Sequence, residues 1–326
     1  MNTICEDSLQ YFPSNREIKD FRSTNIANCV FNNFLSFSAT LLNIATIHAI
    51  RKTSSLPATL KTLLLSLAVS DLGVGLLVQP LYTSLLVHWL QHNSSCSLNV
   101  TFHNILCLFS VASFSGVVAV SVDRFLAIHL HLRYQEHVTH KRVVTLVFSI
   151  WLLSLFISFT PLWIPPVIFN PLIVILAVAG LVFIAMVYSR IYLAVRRHNR
   201  QIHTLQVQHG TRTGEKSHFA ILVKSAFGTF YVYLVLLVCY LPHLVVMGAI
   251  EIQGTSTALK KAFLLSMTPV FLNSILNPVI YCWKMRHIRH VITGTLRNMN
   301  IWPRRRSLHQ GHSPTTLEKI NTEDSL

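Results

Sequence analysis

Asp71 lies inside an apolar run, Ser66-Leu-Ala-Val-Ser-Asp-Leu72, and it is the only carboxylate deep in any long apolar segment of the sequence. An ionisable group within a membrane span is costly and usually marks function. A carboxylate ringed by neutral oxygens suits a small hard cation such as sodium, or a proton. Polar residues of other apolar segments would supply these oxygens: Asn43, Ser113, Asn273, Ser274 and Asn277. The alternative is that these side chains only hydrogen-bond to one another and hold the helices together.

A charged pair, Asp123-Arg124-Phe125, stands at the end of the third apolar segment. The acid can pair with the neighbouring arginine, and a change of partner would break this pair easily, so the pair is a candidate switch. The other interpretation is a membrane-surface anchor whose side chains extend to water. Two further segments carry helix-interrupting prolines, Pro242 in the sixth and Asn277-Pro278-Val-Ile-Tyr281 in the seventh, and such a proline removes a backbone hydrogen bond and kinks the helix.

The elements that position these residues are membrane helices. The chain is 52% hydrophobic and 12% charged, with a mean hydropathy of +0.49, whereas soluble domains carry about 25% charged residues. This composition excludes a typical soluble enzyme and a disordered protein. Seven apolar runs have the ~20 residues that a transmembrane helix needs, at about 27–50, 58–87, 100–131, 143–164, 171–198, 219–250 and 261–283. The sequence therefore predicts an all-α, seven-helix transmembrane domain over 27–283, preceded by a tail, 1–26.

Basic residues set the predicted orientation, because cytoplasmic loops collect Lys and Arg. With the N-terminus outside, only five of the 27 basic residues lie outside: Arg16, Lys19, Arg22, Lys260 and Lys261. The others then lie along the anionic inner leaflet, which accounts for the formal charge of +15 without a nucleic-acid partner. The Asn-x-Ser/Thr sequons at Asn93 and Asn99 would be outside, where glycan can be attached. The chain is thus expected to be a multi-pass membrane protein with an extracellular N-terminus.

The order of the motifs resembles that of the rhodopsin-like (class A) G-protein-coupled receptors, from about Asn25 to Arg297. The matching residues lie one set per predicted span: Asn43, Leu67-Ala-Val-Ser-Asp71, Asp123-Arg124-Phe125, Trp151, Tyr188, Pro242 and Asn277-Pro-x-x-Tyr281. The resemblance implies a plasma-membrane receptor, not an enzyme, that passes the signal of an extracellular ligand to a heterotrimeric G protein. The sequence contains no catalytic constellation.

The resemblance also implies roles for single residues. Arg124 would engage the G protein in the active state, and Tyr188 and Tyr281 would turn toward it. The oxygens around Asp71 would form a sodium pocket that favours the inactive state, with no other cofactor. Residues 284–299 would form an amphipathic helix on the inner leaflet lipids. The tail that follows, 300–326, is expected to be disordered and to meet receptor kinases and arrestin.

Several outward positions depart from the family's usual pattern. The usual cysteine atop the third helix falls at Asn99, and no outer loop supplies its partner, so that Cys5 with Cys96 is a possible replacement disulfide. Gly180 stands where a proline is usual in the fifth helix, and the second outer loop, about 161–171, is short. These features look like the melanocortin, lysolipid, cannabinoid and adenosine receptor branch.

Two departures concern the sixth helix. Tyr240 stands at the place of the family's trigger tryptophan. Leu222 stands at the place of the acid that usually pairs with the arginine of the third helix. Asp123 alone would then hold Arg124, which predicts measurable basal signalling.

Helical spacing predicts which residues line an outward cavity. They are His103, Leu106, Cys107 and Ser110 of the third span, Tyr240, His243 and Met247 of the sixth, and Thr268 and Phe271 of the seventh. Such a cavity is apolar with a few neutral polar groups, which favours a small or lipid-like ligand over a strongly charged one. A peptide steered by rim charges at Glu251, Lys260 and Lys261 is the alternative. Leu106 replaces the amine-binding aspartate of aminergic receptors, which disfavours an amine.

Two other classes of protein compete with the receptor interpretation. A small transporter would show internal repeats, broken helices and binding groups near the membrane midplane, whereas these seven spans are unrepeated and their polar groups match receptor positions. A receptor-like scaffold that has lost signalling is left open by the substitutions at Tyr240, Gly180 and Leu222.

Overall fold

The computed structural model describes residues 17–54, 56–92, 95–130, 133–208, 213–284, 289 and 291, and it confirms the predicted bundle of seven membrane helices. No strand occurs within these ranges. The second helix, α2, consists of Ala58–Gly73, a π-helical turn at Val74–Val78 and Gln79–Leu90. The other helices are α1, Ile18–Lys52; α3, Cys96–Leu130; α4, His140–Phe159, extended by a 3-10 turn at Thr160–Leu162; α5, Pro166–Gln208; α6, Thr213–Gln253; and α7, Thr257–Lys284.

The helices extend beyond the apolar runs that predicted them. Helix α1 begins at Ile18, within the segment predicted as a tail, and α5 continues to Gln208. Hydropathy detects only the part of a helix that lies in hydrocarbon, so helical turns in the headgroup region carry no apolar signal. Most of the predicted amphipathic helix, 284–299, and the whole of the tail, 300–326, lie outside the described residues.

Local sequence explains several helix ends. Pro57 precedes the first residue of α2 and Pro166 is the first residue of α5, where a missing backbone N–H costs nothing. The Thr139 hydroxyl accepts a hydrogen bond from the Arg142 amide (3.5 Å) and caps α4. Thr53, in an extended conformation, ends α1. At the first turns of α2, α4 and α5, local sequence thus removes or satisfies a backbone N–H that has no partner within the helix.

Helices α2, α3 and α7 are the most buried of the seven, and α4 lies at the edge of the bundle. Large apolar side chains of the outer surfaces are exposed, as at Phe148, Phe156 and Val238, because this surface faces lipid rather than water. The Trp151 indole joins α4 to α2 by donating to the Ser66 hydroxyl (3.0 Å). We call the end of the bundle where α1, α3, α5 and α7 begin the N-terminal face, and the opposite end the C-terminal face.

Glycines permit close helix contacts at two places. A Cβ on Gly73 of α2 would overlap the Phe109 ring of α3, and a Cβ on Gly180 of α5 would lie 2.6 Å from the Phe114 ring. Gly180 replaces the usual proline of the fifth helix. A glycine fits there because the Phe114 ring of α3 occupies the space that a side chain would need. The π turn of α2 precedes Pro80, which lacks the N–H that a regular helix would use there.

We expect Gly73→Ala to destabilise the protein, because the added methyl group meets the Phe109 ring and overpacking costs about 1–3 kcal/mol. Thermal unfolding of the purified protein measures the effect. Gly248→Ala is the matched control, since nothing lies within 4 Å of that position. Phe109→Leu should restore much of the loss caused by Gly73→Ala. Equal unfolding temperatures for the two alanine variants would contradict this packing.

Candidate ligand cavity and signalling core

The Asp71 carboxylate connects α2 and α7 at the centre of the bundle. Its Oδ2 atom accepts a hydrogen bond from Asn277 Nδ2 (2.9 Å), and the Ser274 hydroxyl also interacts with it. Asn43 Nδ2 of α1 donates to the Ser274 carbonyl (2.9 Å). Asp71, Asn43 and Asn277 are all fully buried. The structure thus brings together polar residues that are far apart in the sequence, since Asn43 and Asn277 are 234 positions apart.

Further oxygens of the predicted ion site are buried and have no hydrogen-bond partner among the residues that the structure describes. They are Asp71 Oδ1, Ser113 Oγ, Asn273 Oδ1 and Asn277 Oδ1. One carboxylate and several neutral oxygens form the kind of ligand set that hard cations prefer. The side chains present therefore fit a sodium ion.

Arg124 is buried at the C-terminal face and has two kinds of partner. It pairs with the Asp123 carboxylate through Nη2 and through Nε (3.0 Å), and its Nη1 donates to the Ser225 hydroxyl of α6 (3.3 Å). The expectation that Asp123 alone holds Arg124 is therefore wrong. Leu222 occupies the position of the usual acid, whereas the polar partner, Ser225, lies one helical turn later on α6. Serine is common in membrane helices and gives no signal by itself.

Tyr134 is a partner of Asp123 that the sequence analysis did not identify. It begins a single helical turn, Tyr134–His137, after α3. Its hydroxyl donates to Asp123 Oδ1 (2.5 Å) and lies 3.0 Å from the Thr59 hydroxyl of α2. Burial, and then the charge of Asp123, raise the pKa of Tyr134 to about 12, so the phenol remains a neutral donor at physiological pH. Asp123 is thereby held from both sides.

Tyr188 and Tyr281 are both buried toward the C-terminal face. The Ser121 hydroxyl donates to Tyr188 Oη (3.4 Å), and the Tyr188 ring stacks on Tyr233 of α6 with centroids 5.7 Å apart. Tyr281 Oη has no hydrogen-bond partner inside the described helices. Pro242 and Pro278 lie inside α6 and α7 as predicted from their spans, and α7 contains a further proline, Pro269.

A cavity of about 300 Å³ lies among α3, α4, α5, α6 and α7. Seven predicted residues line it: His103, Leu106, Cys107, Ser110, Tyr240, His243 and Met247. Its described lining includes no Asp, Glu, Lys or Arg. The polar groups are few: His243 Nδ1 lies 2.9 Å from the Ser266 hydroxyl, and Tyr240 hydrogen-bonds to Ser110 at the inner end. The cavity is thus an apolar chamber with neutral polar groups.

The prediction that Thr268 and Phe271 line this cavity is wrong. Their neighbours Met267 and Val270 line it instead. Thr268 contacts α1, and the fully buried Phe271 ring packs edge-on against Tyr82 (5.2 Å). One residue rotates a helical side chain by about 100°, and the uniformly apolar sequence of α7 does not indicate which face looks inward. The lining from α4 and α5, including Leu153, Phe169 and Asn170, was likewise missed.

Comparison with known protein families agrees with this arrangement. The family described as 7 transmembrane receptor (rhodopsin family) matches residues 42–171 and 165–281. The chain belongs to this family. It is therefore a G-protein-coupled receptor, a multi-pass membrane protein that responds to an extracellular ligand and acts on G proteins.

The receptor is similar to curated proteins of the predicted branch. Melanocortin receptor 5 of Sus scrofa is 26% identical over 263 residues, which are 77% of this chain and 86% of that protein. Adenosine receptor A3 of Ovis aries is 24% identical over 302 residues, 82% of this chain and 88% of that protein. Adenosine receptor A2b of Gallus gallus is 37% identical over 120 residues, 37% of this chain and 34% of that protein.

Asn99 is one of the two predicted glycosylation sites. It is only 1% exposed, on the first turns of α3, whereas glycan attachment needs an exposed loop. Glycosylation of Asn99 stays a prediction, which this burial disfavours. Asn93, the other predicted glycosylation site, lies outside the described residues. Cys96, the first residue of α3, is disulfide-bonded. Its predicted partner, Cys5, also lies outside the described residues, so the pairing remains a prediction.

We expect Ser225→Ala to raise basal G-protein signalling, because Arg124 loses its contact with α6. A hydrogen bond to a charged group is worth about 1.5–3 kcal/mol, which corresponds to an increase of roughly ten- to 150-fold in the ratio of active to inactive receptor. A nucleotide-exchange assay on membranes with equal receptor density measures it. Ser189→Ala is the control, since that exposed α5 hydroxyl bonds to its own helix at Ala185. Unchanged or lower basal signalling in Ser225→Ala would show that the contact does not restrain α6.

Proposed function

We propose that the receptor is activated by an uncharged, largely apolar small molecule or lipid that binds in the cavity beside α3 and α6. The lining of the cavity carries this proposal. Its walls are aliphatic, aromatic and methionine side chains, and the polar groups at His103, Ser110, Tyr240 and His243 are neutral hydrogen-bonding groups that can orient a ligand. A charged amine, phosphate or carboxylate would lack a counter-charge among the described lining residues.

The cavity and the Arg124 contact are connected by α6. Tyr240 and His243, on the cavity wall, flank Pro242, where the helix is weakened, and Ser225 holds the other end of the same helix against Arg124. A ligand that binds more tightly when α6 is tilted away from α3 shifts the population toward that state. Arg124 is then released from Ser225 and available to the G protein.

Asp71 with Ser113, Asn273, Ser274 and Asn277 would hold a sodium ion in the inactive state. The ion supplies a positive charge that compensates the buried carboxylate. The side chains come from α2, α3 and α7, so the site draws these helices together. A proton on Asp71 is the alternative source of compensation.

The N-terminal face is proposed to be extracellular, in the plasma membrane. The disulfide of Cys96 supports this orientation, because disulfides persist on the oxidising side of a membrane. The exposed Arg196 and Arg197 of α5 lie toward the opposite end, where anionic inner-leaflet lipid attracts basic residues. The segment 300–326 is proposed to meet receptor kinases and arrestin, and it lies outside the described residues.

We expect sodium to lower basal signalling of the wild-type receptor and to have no effect on Asp71→Asn, because the amide has no charge to compensate. Signalling is measured in membranes with sodium or with an equal concentration of a large organic cation. Ser70→Ala is the matched control, since this neighbouring buried hydroxyl bonds to its own helix at Leu67. Equal sodium responses in wild type and Asp71→Asn would contradict the ion site.

We expect the activators in a mixed library of neutral lipids, nucleosides, amines and peptides to be neutral and mainly apolar. G-protein activation is measured across Gα subtypes, and Arg124→Ala is expected to abolish it. Leu106→Phe should weaken the response by narrowing the cavity, whereas Leu76→Phe, on the lipid-facing side of α2, should not. Activation only by charged ligands, or potency that Leu106→Phe leaves unchanged, would contradict the proposal.

A further inference from the structure

A stripe of polar side chains runs along one face of α1, and we call it the polar stripe. Its members, Asn25, Asn28, Asn32, Ser36 and Asn43, are separated by three, four or seven residues, so they lie on one face of the helix. At 1.5 Å per residue the stripe is about 27 Å long. The four asparagines are buried, and the serine is partly buried. Such a series is costly in a membrane helix unless its groups have partners.

The polar stripe faces α2 and α7 and not the lipid. Asn28 Nδ2 lies 3.4 Å from Tyr82 Oη of α2, and Asn32 Nδ2 donates to the Thr268 hydroxyl of α7 (3.1 Å). Deeper in the bundle the Ser36 hydroxyl donates to the Gly75 carbonyl (2.7 Å). The last member, Asn43, reaches the Ser274 carbonyl beside Asp71. The stripe therefore connects the N-terminal face with the candidate ion site.

Several buried polar atoms along this interface have no protein partner in the part of the chain that the structure describes. Both amide atoms of Asn25 and of Gln79 are in this group, together with Asn32 Oδ1 and Asn43 Oδ1, and the series ends at Asp71 Oδ1. Burying an amide without a hydrogen-bond partner is costly. Native proteins satisfy such atoms with water or ions. The unpaired polar atoms along this interface are therefore typical of a site that holds ordered water.

The π turn of α2 adds a second, independent feature at the same depth. Val74–Val78 immediately precedes Gln79, which is fully buried and stands three residues before Tyr82 on the same helix face. A π turn inserts one residue into a helix and occurs frequently at functional sites. Here the π turn precedes Gln79, the one glutamine of the span. Gln79 lies between Gly75, which contacts α1, and Tyr82, which contacts both α1 and α7.

An aromatic wall separates this interface from the ligand cavity. None of the polar-stripe residues is among the described cavity-lining residues, and neither is Gln79. The Tyr82 ring packs against Phe102 (5.5 Å) and Phe271 (5.2 Å), so these three rings stand between the two regions. On α7, Met267 faces the cavity while its neighbour Thr268 faces the polar stripe. The polar stripe and the ligand cavity are therefore separate regions of the bundle.

At that face a carboxylate stands above the polar stripe. Glu17 pairs with Lys260 Nζ (3.0 Å) and accepts a hydrogen bond from the Thr257 hydroxyl (2.7 Å). Phe21, one turn further along α1 and fully buried, lies beneath it, with Lys261 Nζ 5.3 Å from the ring centroid. At the N-terminal face, these contacts close the interface with a partly exposed ion pair. Such a pair is easily broken in water.

We propose that α1, α2 and α7 enclose a hydrated path, lined by the polar stripe and Gln79, through which sodium ions pass between the N-terminal face and Asp71 without entering the ligand cavity. The carboxamide and hydroxyl oxygens replace part of the ion's hydration, and the absence of a carboxylate on the described stripe keeps binding weak enough for transit. The proposal rests on the proposed ion site at Asp71.

Cysteine reactivity tests the path in the full-length receptor, reconstituted in phosphatidylcholine nanodiscs. The background replaces the four free cysteines, Cys29, Cys107, Cys239 and Cys282, by serine. Single cysteines are then introduced by Asn32→Cys on α1 and Gln79→Cys on α2. The probe is 2-aminoethyl methanethiosulfonate, a small cation that reacts with a thiolate in water. Ile184→Cys is the dry control, since Ile184 is fully buried on α5, which contributes no residue to the polar stripe, and restored Cys107 is the cavity control.

We expect Asn32→Cys and Gln79→Cys to react at least about tenfold faster than Ile184→Cys, because thiolate formation needs water. Sodium should slow the reaction of Gln79→Cys but not that of Cys107, and Asp71→Asn should remove this protection. Rates equal to that of Ile184→Cys at both positions would overturn the path and leave the polar stripe as dry helix contacts. Fast reaction without sodium protection would overturn the role in ion passage.

These outcomes are distinguishable from a failure of the ion site itself. If basal signalling of the wild type does not respond to sodium, the site at Asp71 fails, and the thiol rates still report hydration of the interface. Thermal unfolding of each variant identifies one that does not fold. The two test positions lie on different helices, so a folding defect at one leaves the other informative.

Discussion

The hydrogen bond between Asp71 and Asn277 is the contact on which the rest of the bundle depends. A carboxylate at the centre of a membrane domain requires partners from the protein, since lipid supplies none. Asn277 and Ser274 meet it from α7, and Asn43 binds the same turn of α7 from α1. This requirement places α7 inside the bundle and α2 and α1 against it. The cavity, the polar stripe and the Arg124 contact are arranged around that centre.

Helix α6 connects the ligand cavity with the contact to Arg124. One end contributes Tyr240 and His243 to an apolar chamber, and the other presents Ser225 to Arg124. A hydroxyl is a weaker partner for a buried guanidinium than a carboxylate would be. The receptor balances this by holding Asp123 between Arg124 and Tyr134. The restraint on Arg124 is thus distributed over α3, α6 and the turn after α3.

The departures from the usual family pattern have structural reasons. Gly180 leaves room for the Phe114 ring of α3, which would clash with a side chain there. Tyr240, in place of a tryptophan, bonds to Ser110 and joins α6 to α3 at the inner end of the cavity. Leu222 is compensated by Ser225 one turn further along α6. Each change is accompanied by a contact on a neighbouring helix, which a motif comparison does not consider.

The sequence by itself determined the seven helices and the membrane class, because hydrocarbon requires long apolar runs with internally bonded backbone. It also identified most cavity residues of α3 and α6, where polar side chains recur with helical spacing. It did not determine the rotation of α7, so Thr268 and Phe271 were assigned to the wrong side, nor the partners Ser225 and Tyr134. Those depend on how the helices rotate and approach one another. In an apolar helix neither rotation nor approach leaves a periodic signal, so only the packed tertiary structure decided them.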